Sequence, residues 1–250
     1  MIDLLMYPLL TCIILVLIHV AFGEKVLSRG IIFIDLAFAQ WAALGYLVGH
    51  YYHIQHPIAL FLCAFGFTVL ASILLTLLKP LYQALAVQEA VIGVTYIAAI
   101  SLALGIIVST GMDGHHLDHM LKGHLLFIQS TEFWSTSVLY LCIGFILWWK
   151  RPFLSQPSLW SQLCFYALFG LVVTSSVQLV GALLVFTYLV LPLLTVMLFT
   201  PLRTKQCRYA WLLGGVGSVI GLIVATKVNI PPSFAVIFVL LSLRSEEHTS

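Results

Sequence analysis

The chain has 250 residues, of which 62% are hydrophobic and 8% are charged, and its mean hydropathy is +1.10. A soluble domain carries about 25% charged residues, so this composition excludes a soluble globular protein. A transmembrane β-barrel is excluded as well, because its strands are short alternating segments and not long apolar runs. The formal net charge of +2, without a basic patch, gives no indication of a nucleic-acid partner. We therefore predict an all-α, polytopic helical membrane protein.

Long apolar runs define the predicted helices. They cover residues at about 3–22, 31–50, 57–78, 88–109, 133–149, 160–177, 179–200, 209–226 and 231–243. A helix needs about 20 apolar residues to cross a membrane, and several runs reach that length. We expect about eight to nine transmembrane segments in a single domain over residues 1–243.

The last seven residues differ in composition from everything before them. Residues 244–250 (RSEEHTS) are polar and resemble the translation of a sequencing adapter, so we interpret them as a non-native tail. After Pro231 and Pro232 only about eleven apolar residues precede this tail, fewer than a span requires. We therefore expect the native C-terminal end to be missing.

The distribution of basic residues indicates the orientation, because cytoplasmic loops are enriched in Lys and Arg. With the N-terminus outside, only Lys122 and Lys227 fall on the outer side. The basic residues that then fall on the cytoplasmic side are Lys25, Arg29, Lys79, Lys150, Arg151, Arg203, Lys205 and Arg208. The same rule requires two crossings between residues 160 and 200, and we expect an external turn at Thr174, Ser175 and Ser176.

A proline within residues 178–200 sets this stretch apart. Pro192 removes a backbone hydrogen bond from an apolar helix and bends it, which lipid tolerates only where neighbouring protein covers the defect. The basic cluster from Arg203 onwards places the end of this helix at the cytoplasmic face. The pattern is typical of a helix that transmits force to a partner, and equally of an ordinary proline-kinked membrane helix.

Two acids lie in or at the edge of apolar runs. Asp35 lies about five residues into its run, whereas Glu89 is nearer the cytoplasmic border. A carboxylate at membrane depth is costly, so it normally faces a cavity, a partner or an ion path. We predict that Asp35 serves ion transport, and for Glu89 we consider both that role and capping of its own helix.

Histidines are concentrated in two loops that the charge bias puts outside. The first holds His50, His53 and His56, and the second holds His115, His116, His119 and His124. If the second loop is helical, His115 and His119 lie on one face, four residues apart. Imidazoles with nearby carboxylates suit Zn²⁺ and, less well, Mn²⁺ or Fe²⁺. A solvated loop without a ligand is the alternative.

Several motifs are absent from the sequence. It contains no phosphate-binding GxxxxGK[ST] loop, so the chain does not bind ATP in that way. GxSxG and HExxH are also missing, which leaves a membrane hydrolase without support. The five cysteines show no CxxC spacing and are interpreted as small apolar residues. We therefore expect neither an enzyme nor a tightly bound cofactor.

Five segments taken together resemble the permease family of bacterial metal-ion ABC importers, which take up zinc, manganese or iron. In this chain they are FIDLAFAQWAALGYLVG (33–49), EAVIGVTYIAAISLALG (89–105), HHLDHMLKGHLLF (115–127), VGALLVFTYLVLPLLTVML (180–198) and NIPPSFAVIFVLL (229–241). They follow the family's order and cover nearly the whole chain.

The resemblance implies a homodimeric, multi-pass permease of the bacterial inner membrane. Its partners would be an ATPase subunit on the cytoplasmic side and an extracytoplasmic metal-binding protein, and zinc would be the first candidate for the transported ion. From the residues themselves, we expect Asp35, Glu89, His115, His116 and His119 to serve the metal. Because nothing near Asp35 in sequence neutralises its charge, we expect it to face its symmetry mate across the dimer axis. Pro192, Thr195 and Arg203 would couple the chain to the ATPase.

The sequence departs from the family pattern at two places. The position that holds a metal-contacting histidine in the family is Ala39, four residues after Asp35. The small-residue run after the family's proline is matched here only at Thr195. The alternative function is a gradient-driven secondary transporter with Asp35 and Glu89 as coupling carboxylates, although no inverted repeat is visible.

Overall fold

A computed structural model describes residues 2–81, 87–111, 123–154, 156, 158–200 and 203–245, and all regular secondary structure in these ranges is helical. The all-α class predicted from the sequence is therefore confirmed. The elements are α1 (Ile2–Arg29), α2 (Ile34–Tyr51), α3 (Pro57–Leu77), α4 (Gln88–Thr110), a 3₁₀ turn (Leu125–Phe127), α5 (Ser130–Trp149), α6 (Arg151–Leu154), α7 (Leu159–Val180), α8 (Ala182–Phe199), α9 (Arg203–Val228) and α10 (Pro232–Ser245).

Seven of these helices are long and apolar enough to cross a membrane, as judged by length and composition: α1, α3, α4, α5, α7, α8 and α9. Helix α2 falls outside this set because Asp35, Gln40 and His50 make it more polar, yet most of its residues are buried in protein. Helix α10 is shorter, with 14 residues. The polytopic membrane class is confirmed, with seven spans by this criterion and two further helices in the expected places.

The position of the break between residues 160 and 200 differs from the prediction. Helix α7 continues through Thr174, Ser175 and Ser176, and the chain breaks at Gly181, whose φ is +85°. The hydroxyl of Thr174 donates to the carbonyl of Gly170 at 2.7 Å, so it is satisfied inside the helix. Ser and Thr tolerate a helix interior in this way, whereas a left-handed φ favours glycine.

The chain divides into two compact units. Unit 1 comprises residues 1–29, 121–141 and 178–250, and helices α1, α8, α9 and α10 pack together within it. A Cβ added at Gly221 of α9 would lie 2.5 Å from the Cα of Val236 in α10, so the missing side chain permits this close approach. Gly23 of α1 is similarly close to the carbonyl of Leu189 in α8. Small residues thus set the helix packing of unit 1.

Unit 2 comprises residues 30–120 and 142–177, and α2 lies at its centre. The ring of Phe38 packs against the rings of Tyr166 and Phe169 in α7, with centroids 6.1 and 5.9 Å apart. On another side of α2, the indole N–H of Trp41 donates to the carbonyl of Thr95 in α4 at 3.2 Å. These contacts keep the polar helix α2 inside protein. The single domain predicted for residues 1–243 stays a prediction.

Candidate functional site

The site begins at the turn between α1 and α2. Gly30 follows α1 with φ +65°, a conformation that favours glycine and ends the helix. The chain then turns at once, with the N–H of Ile34 donating to the carbonyl of Ile31 at 3.2 Å. Phe33 precedes α2 and makes no side-chain cap hydrogen bond, since its ring has no acceptor. Asp35 lies in this first turn.

Asp35 is the deepest acid in the described part of the chain. Its side chain is 0% exposed, and neither carboxylate oxygen has a hydrogen-bond partner among the described residues. Its place in the first turn of α2 is favourable for a negative charge, but that effect amounts to only about 1 kcal/mol. Leaving an ionised carboxylate buried and unpaired costs several kcal/mol, so the group requires a proton or a cation.

Glu89 lies in the first turn of α4 and reaches the same turn of the chain. Its Oε1 accepts a hydrogen bond from the backbone N–H of Ile32 at 2.6 Å, whereas its Oε2 is buried and has no partner among the described residues. Glu89 therefore caps the turn before α2, and not its own helix as considered from the sequence. Glu89 thus contacts the turn that leads to Asp35, and among the described residues three buried carboxylate oxygens of these two acids have no hydrogen-bond partner.

These two acids offer only oxygen atoms to a cation. Within the described ranges, no group of three or more His, Cys, Asp or Glu side chains is positioned to hold a metal ion. Carboxylate oxygens suit Mn²⁺, Mg²⁺ and Ca²⁺ better than they suit softer ions. Such a sparse set is chemically adequate for brief coordination of a passing ion, with further ligands supplied by water or carbonyl groups.

The burial of Asp35 bears on the expectation that it meets its symmetry mate at a dimer axis. A side chain that is 0% exposed within one chain does not touch a second copy unless the protein rearranges. Burial within one chain and burial at a chain–chain interface both require apolar neighbours, so the sequence pattern does not distinguish them. The meeting of two Asp35 side chains at a dimer axis stays a prediction.

The predicted external histidines are only partly placed. His115, His116 and His119 lie outside the described residues. His124 is described, and its backbone N–H donates to the carbonyl of Leu179 at 3.0 Å. Its Nε2 lies 3.7 Å from a carboxylate oxygen of Glu132. The role of the histidine loop in metal capture stays a prediction.

The predicted coupling residues fall in unit 1, at the end of α8 and the start of α9. Pro192 lies inside α8 and is buried, and the helix continues through it to Phe199. Thr195 is 2% exposed, and its hydroxyl donates to the carbonyl of Leu191 at 2.9 Å. The Thr195 side chain therefore leaves little surface for contact with another subunit, and its role in coupling stays a prediction. Arg203 is the first residue of α9.

Sequence reasoning missed the contacts that hold the end of α8 in place. The side-chain amide of Gln206 in α9 donates to the carbonyl of Thr200 at 2.7 Å. Thr200 directly follows α8, so this bond connects α9 to the end of α8. The thiol of Cys207 lies 3.5 Å from a carboxylate oxygen of Glu24 in α1. These partners are 6 and 183 residues apart in sequence, and no local signal identifies the second pair. Leu198 and Phe199 remain exposed beside them, at 59% and 56%.

The comparison with known families decides the identity of this architecture. The model of the ABC 3 transport family matches residues 1–244. The chain belongs to the ABC 3 transport family. The resemblance predicted from the sequence is thereby confirmed, and the family together with the seven apolar helices makes the chain a multi-pass protein of the bacterial inner membrane. As a transport subunit it is not an enzyme in itself.

Two curated relatives span most of the chain. It is 26% identical over 240 residues to the manganese import system permease protein ScaB of Streptococcus parasanguinis, covering 89% of this chain and 81% of the relative. It is 25% identical over 247 residues to the protein of the same name from Streptococcus gordonii, covering 92% of this chain and 84% of the relative.

A solved structure shares the fold. The structure described as PsaBC from Streptococcus pneumoniae in complex with Fab matches with a TM-score of 0.75 and 20% sequence identity. The match covers 96% of this chain and 89% of that one. At this identity the likeness concerns the arrangement of helices alone. Since the family is one of ABC transport, the alternative of a gradient-driven secondary transporter is not adopted.

Proposed function

We propose that this chain is the permease subunit of an ABC importer for a divalent metal ion, with manganese as the first candidate. The observation that carries the proposal is the buried carboxylate of Asp35, which has no partner among the described residues. A transport protein that keeps such a group inside its helices has a physical reason to do so if a cation passes it.

The choice of manganese departs from the sequence-based preference for zinc. The donors gathered at the start of α2 are carboxylate oxygens of Asp35 and Glu89, and oxygen ligands suit Mn²⁺, whereas imidazole and thiolate suit Zn²⁺. The two curated relatives are named for manganese import, which supports the same choice. Zinc and iron are the competing cargoes, and the uptake experiment below separates them.

The proposal includes the partners that an ABC importer requires. An ATPase subunit would bind at the cytoplasmic face, since this sequence has no phosphate-binding loop of its own. An extracytoplasmic binding protein would deliver the metal to the side on which His115, His116 and His119 are predicted to lie. A second copy of the permease would complete the pathway. Pro192, Thr195 and Arg203 would act in coupling, with Thr195 supporting the helix from inside and not touching the ATPase.

Uptake of radioactive manganese, zinc and iron tests this function. The permease would be expressed together with its proposed partners, an ABC ATPase and an extracytoplasmic metal-binding protein, in a bacterial strain that lacks its own importers for these metals. We expect ATP-dependent uptake of manganese that exceeds uptake of zinc and iron at equal limiting concentration. Preferential uptake of zinc would restore the sequence-based preference, and absence of uptake of all three metals would reject the function.

A further inference from the structure

A groove of about 470 Å³ lies in unit 2, beside α5, α6 and α7. Its volume is in the range of about 300–1,000 Å³ that is typical of pockets for small ligands. Only one lining residue is charged, and the others present apolar surface or a thiol. The lining residues are Ile146, Lys150, Phe153, Leu154, Cys164, Ala167 and Leu168.

The charged lining residue lies at the predicted level of the lipid headgroups. Lys150 directly follows α5, and the distribution of basic residues places it on the cytoplasmic side together with its neighbour Arg151. The Nζ atom of Lys150 lies 5.7 Å from the ring centroid of Trp149. Trp148, Trp149 and Trp160 are all strongly exposed. Exposed tryptophans concentrate at membrane–water interfaces, so they mark this end of the groove as the membrane surface.

We propose that the groove binds one anionic phospholipid, with an acyl chain along its apolar lining and the phosphate against the Lys150 ammonium. The two parts of the groove complement the two parts of such a lipid, because the lining is apolar and the one charge is positive. Basic pockets between membrane helices on the cytoplasmic side are suited to anionic headgroups. This site is separate from the acids at the start of α2 and does not depend on which ion is transported.

Native mass spectrometry tests the site. The full-length permease would be purified from nanodiscs that contain equal amounts of phosphatidylglycerol and phosphatidylcholine, and the retained lipids counted. We expect the unaltered chain to retain phosphatidylglycerol in preference to phosphatidylcholine. Lys150→Glu should lower the retained phosphatidylglycerol at least about fivefold, given the contribution of one basic residue at a membrane surface. Lys150→Arg keeps the positive charge and should retain phosphatidylglycerol as the unaltered chain does.

A matched control is Lys205→Glu, which reverses another exposed lysine on the same predicted side and should leave retention unchanged. Ala167→Trp fills the groove without altering charge and should displace the lipid. If Ala167→Trp does not fold, the comparison of Lys150→Glu with the unaltered chain still tests the proposal. Equal retention of both lipids, or loss of lipid in Lys205→Glu to the same extent, would overturn the proposal. A further outcome would also overturn the proposal. If Ala167→Trp abolishes dimerisation of the permease but leaves the number of retained lipids unchanged, the groove binds a second copy of the chain and not a lipid.

Discussion

The carboxylate of Glu89 accepts a hydrogen bond from the backbone N–H of Ile32 at 2.6 Å, across 57 residues of sequence. This bond fastens the start of α4 to the turn that leads into α2. Asp35 lies three residues beyond Ile32 in sequence, so Glu89 contacts the turn that leads to the buried acid on which the proposed metal path depends. The proposed roles of the two acids are separable by substitution.

Asp35→Asn should lower manganese uptake at least about tenfold, because it preserves the shape of the side chain and removes the charge that attracts the ion. The free energy of unfolding of the metal-free protein should stay equal or rise by about 1 kcal/mol, since a neutral amide is less costly to bury than an unpaired carboxylate. Radioactive uptake and thermal unfolding in detergent provide the two measurements. Near-normal uptake by the Asn variant would move the metal path elsewhere, with Glu89 as the next candidate.

Glu89→Ala and Glu89→Gln should behave differently. The Ala variant leaves the Ile32 N–H unsatisfied and should destabilise the protein by about 1–3 kcal/mol, whereas Gln keeps an acceptor and the fold. If the charge of Glu89 also serves the metal, the Gln variant should still lose manganese uptake.

The matched control for Glu89→Ala is Glu132→Ala. Glu132 also accepts an N–H ahead of its helix, from Gln129 at 3.0 Å, but it is partly exposed. Water replaces that bond, so its loss should cost less than about 1 kcal/mol. Equal destabilisation in both Ala variants would contradict the capping role of Glu89.

Phe199→Asp should weaken binding of the ATPase, because Phe199 is exposed at the end of α8 and a charge disrupts an apolar interface core. We expect co-purification of the ATPase to fall at least about fivefold with unchanged permease in the membrane. Phe127→Asp is the control, since Phe127 is also exposed but lies on the predicted outer side. An unchanged ATPase yield in Phe199→Asp would exclude this residue from the contact.

Thr195→Glu should act differently from an interface substitution. Thr195 is buried, so a glutamate at this position places an acid in packed protein and should lower the amount of folded permease itself. Size-exclusion chromatography of the detergent-solubilised chain measures this directly. A well-folded Thr195→Glu variant that fails only to bind the ATPase would show that Thr195 makes the contact after all.

Replacement of His115, His116 and His119 with Ala should raise the metal concentration required for half-maximal uptake while leaving basal ATP hydrolysis unchanged. Imidazole must be neutral to bind a metal, so the difference from the unaltered protein should fade below about pH 6. Uptake at limiting metal, measured from about pH 5.5 to pH 8, tests both expectations. Unchanged uptake in the triple variant would make the loop a solvated connector.

Gly221→Ala should destabilise the protein by about 1–3 kcal/mol, because the new methyl group would press on the backbone of α10 at Val236. Gly215→Ala is the control in the same helix, since nothing lies within 4 Å of a Cβ added there. The control should be neutral or stabilise by up to about 1 kcal/mol through helix propensity. Thermal unfolding of the two variants compares them, and equal stabilities would refute the close contact between α9 and α10.

The sequence by itself determined the helices and the family. Apolar runs in lipid have to form helices that satisfy their own backbone hydrogen bonds. Hydropathy and basic residues were therefore enough to predict nine helices, and most predicted ends lie within a few residues of the observed ends.

Only the tertiary structure decided which polar groups have hydrogen-bond partners. Thr174, Ser175 and Ser176 look like a turn in sequence, yet their hydroxyls bond to carbonyls of their own helix. Three features depend on which helices become neighbours. They are the bond from Ile32 to Glu89, the lack of a hydrogen-bond partner for Asp35 in the described part of the chain, and the burial of Thr195. Contacts across such distances arise from packing, and hydropathy alone does not encode them.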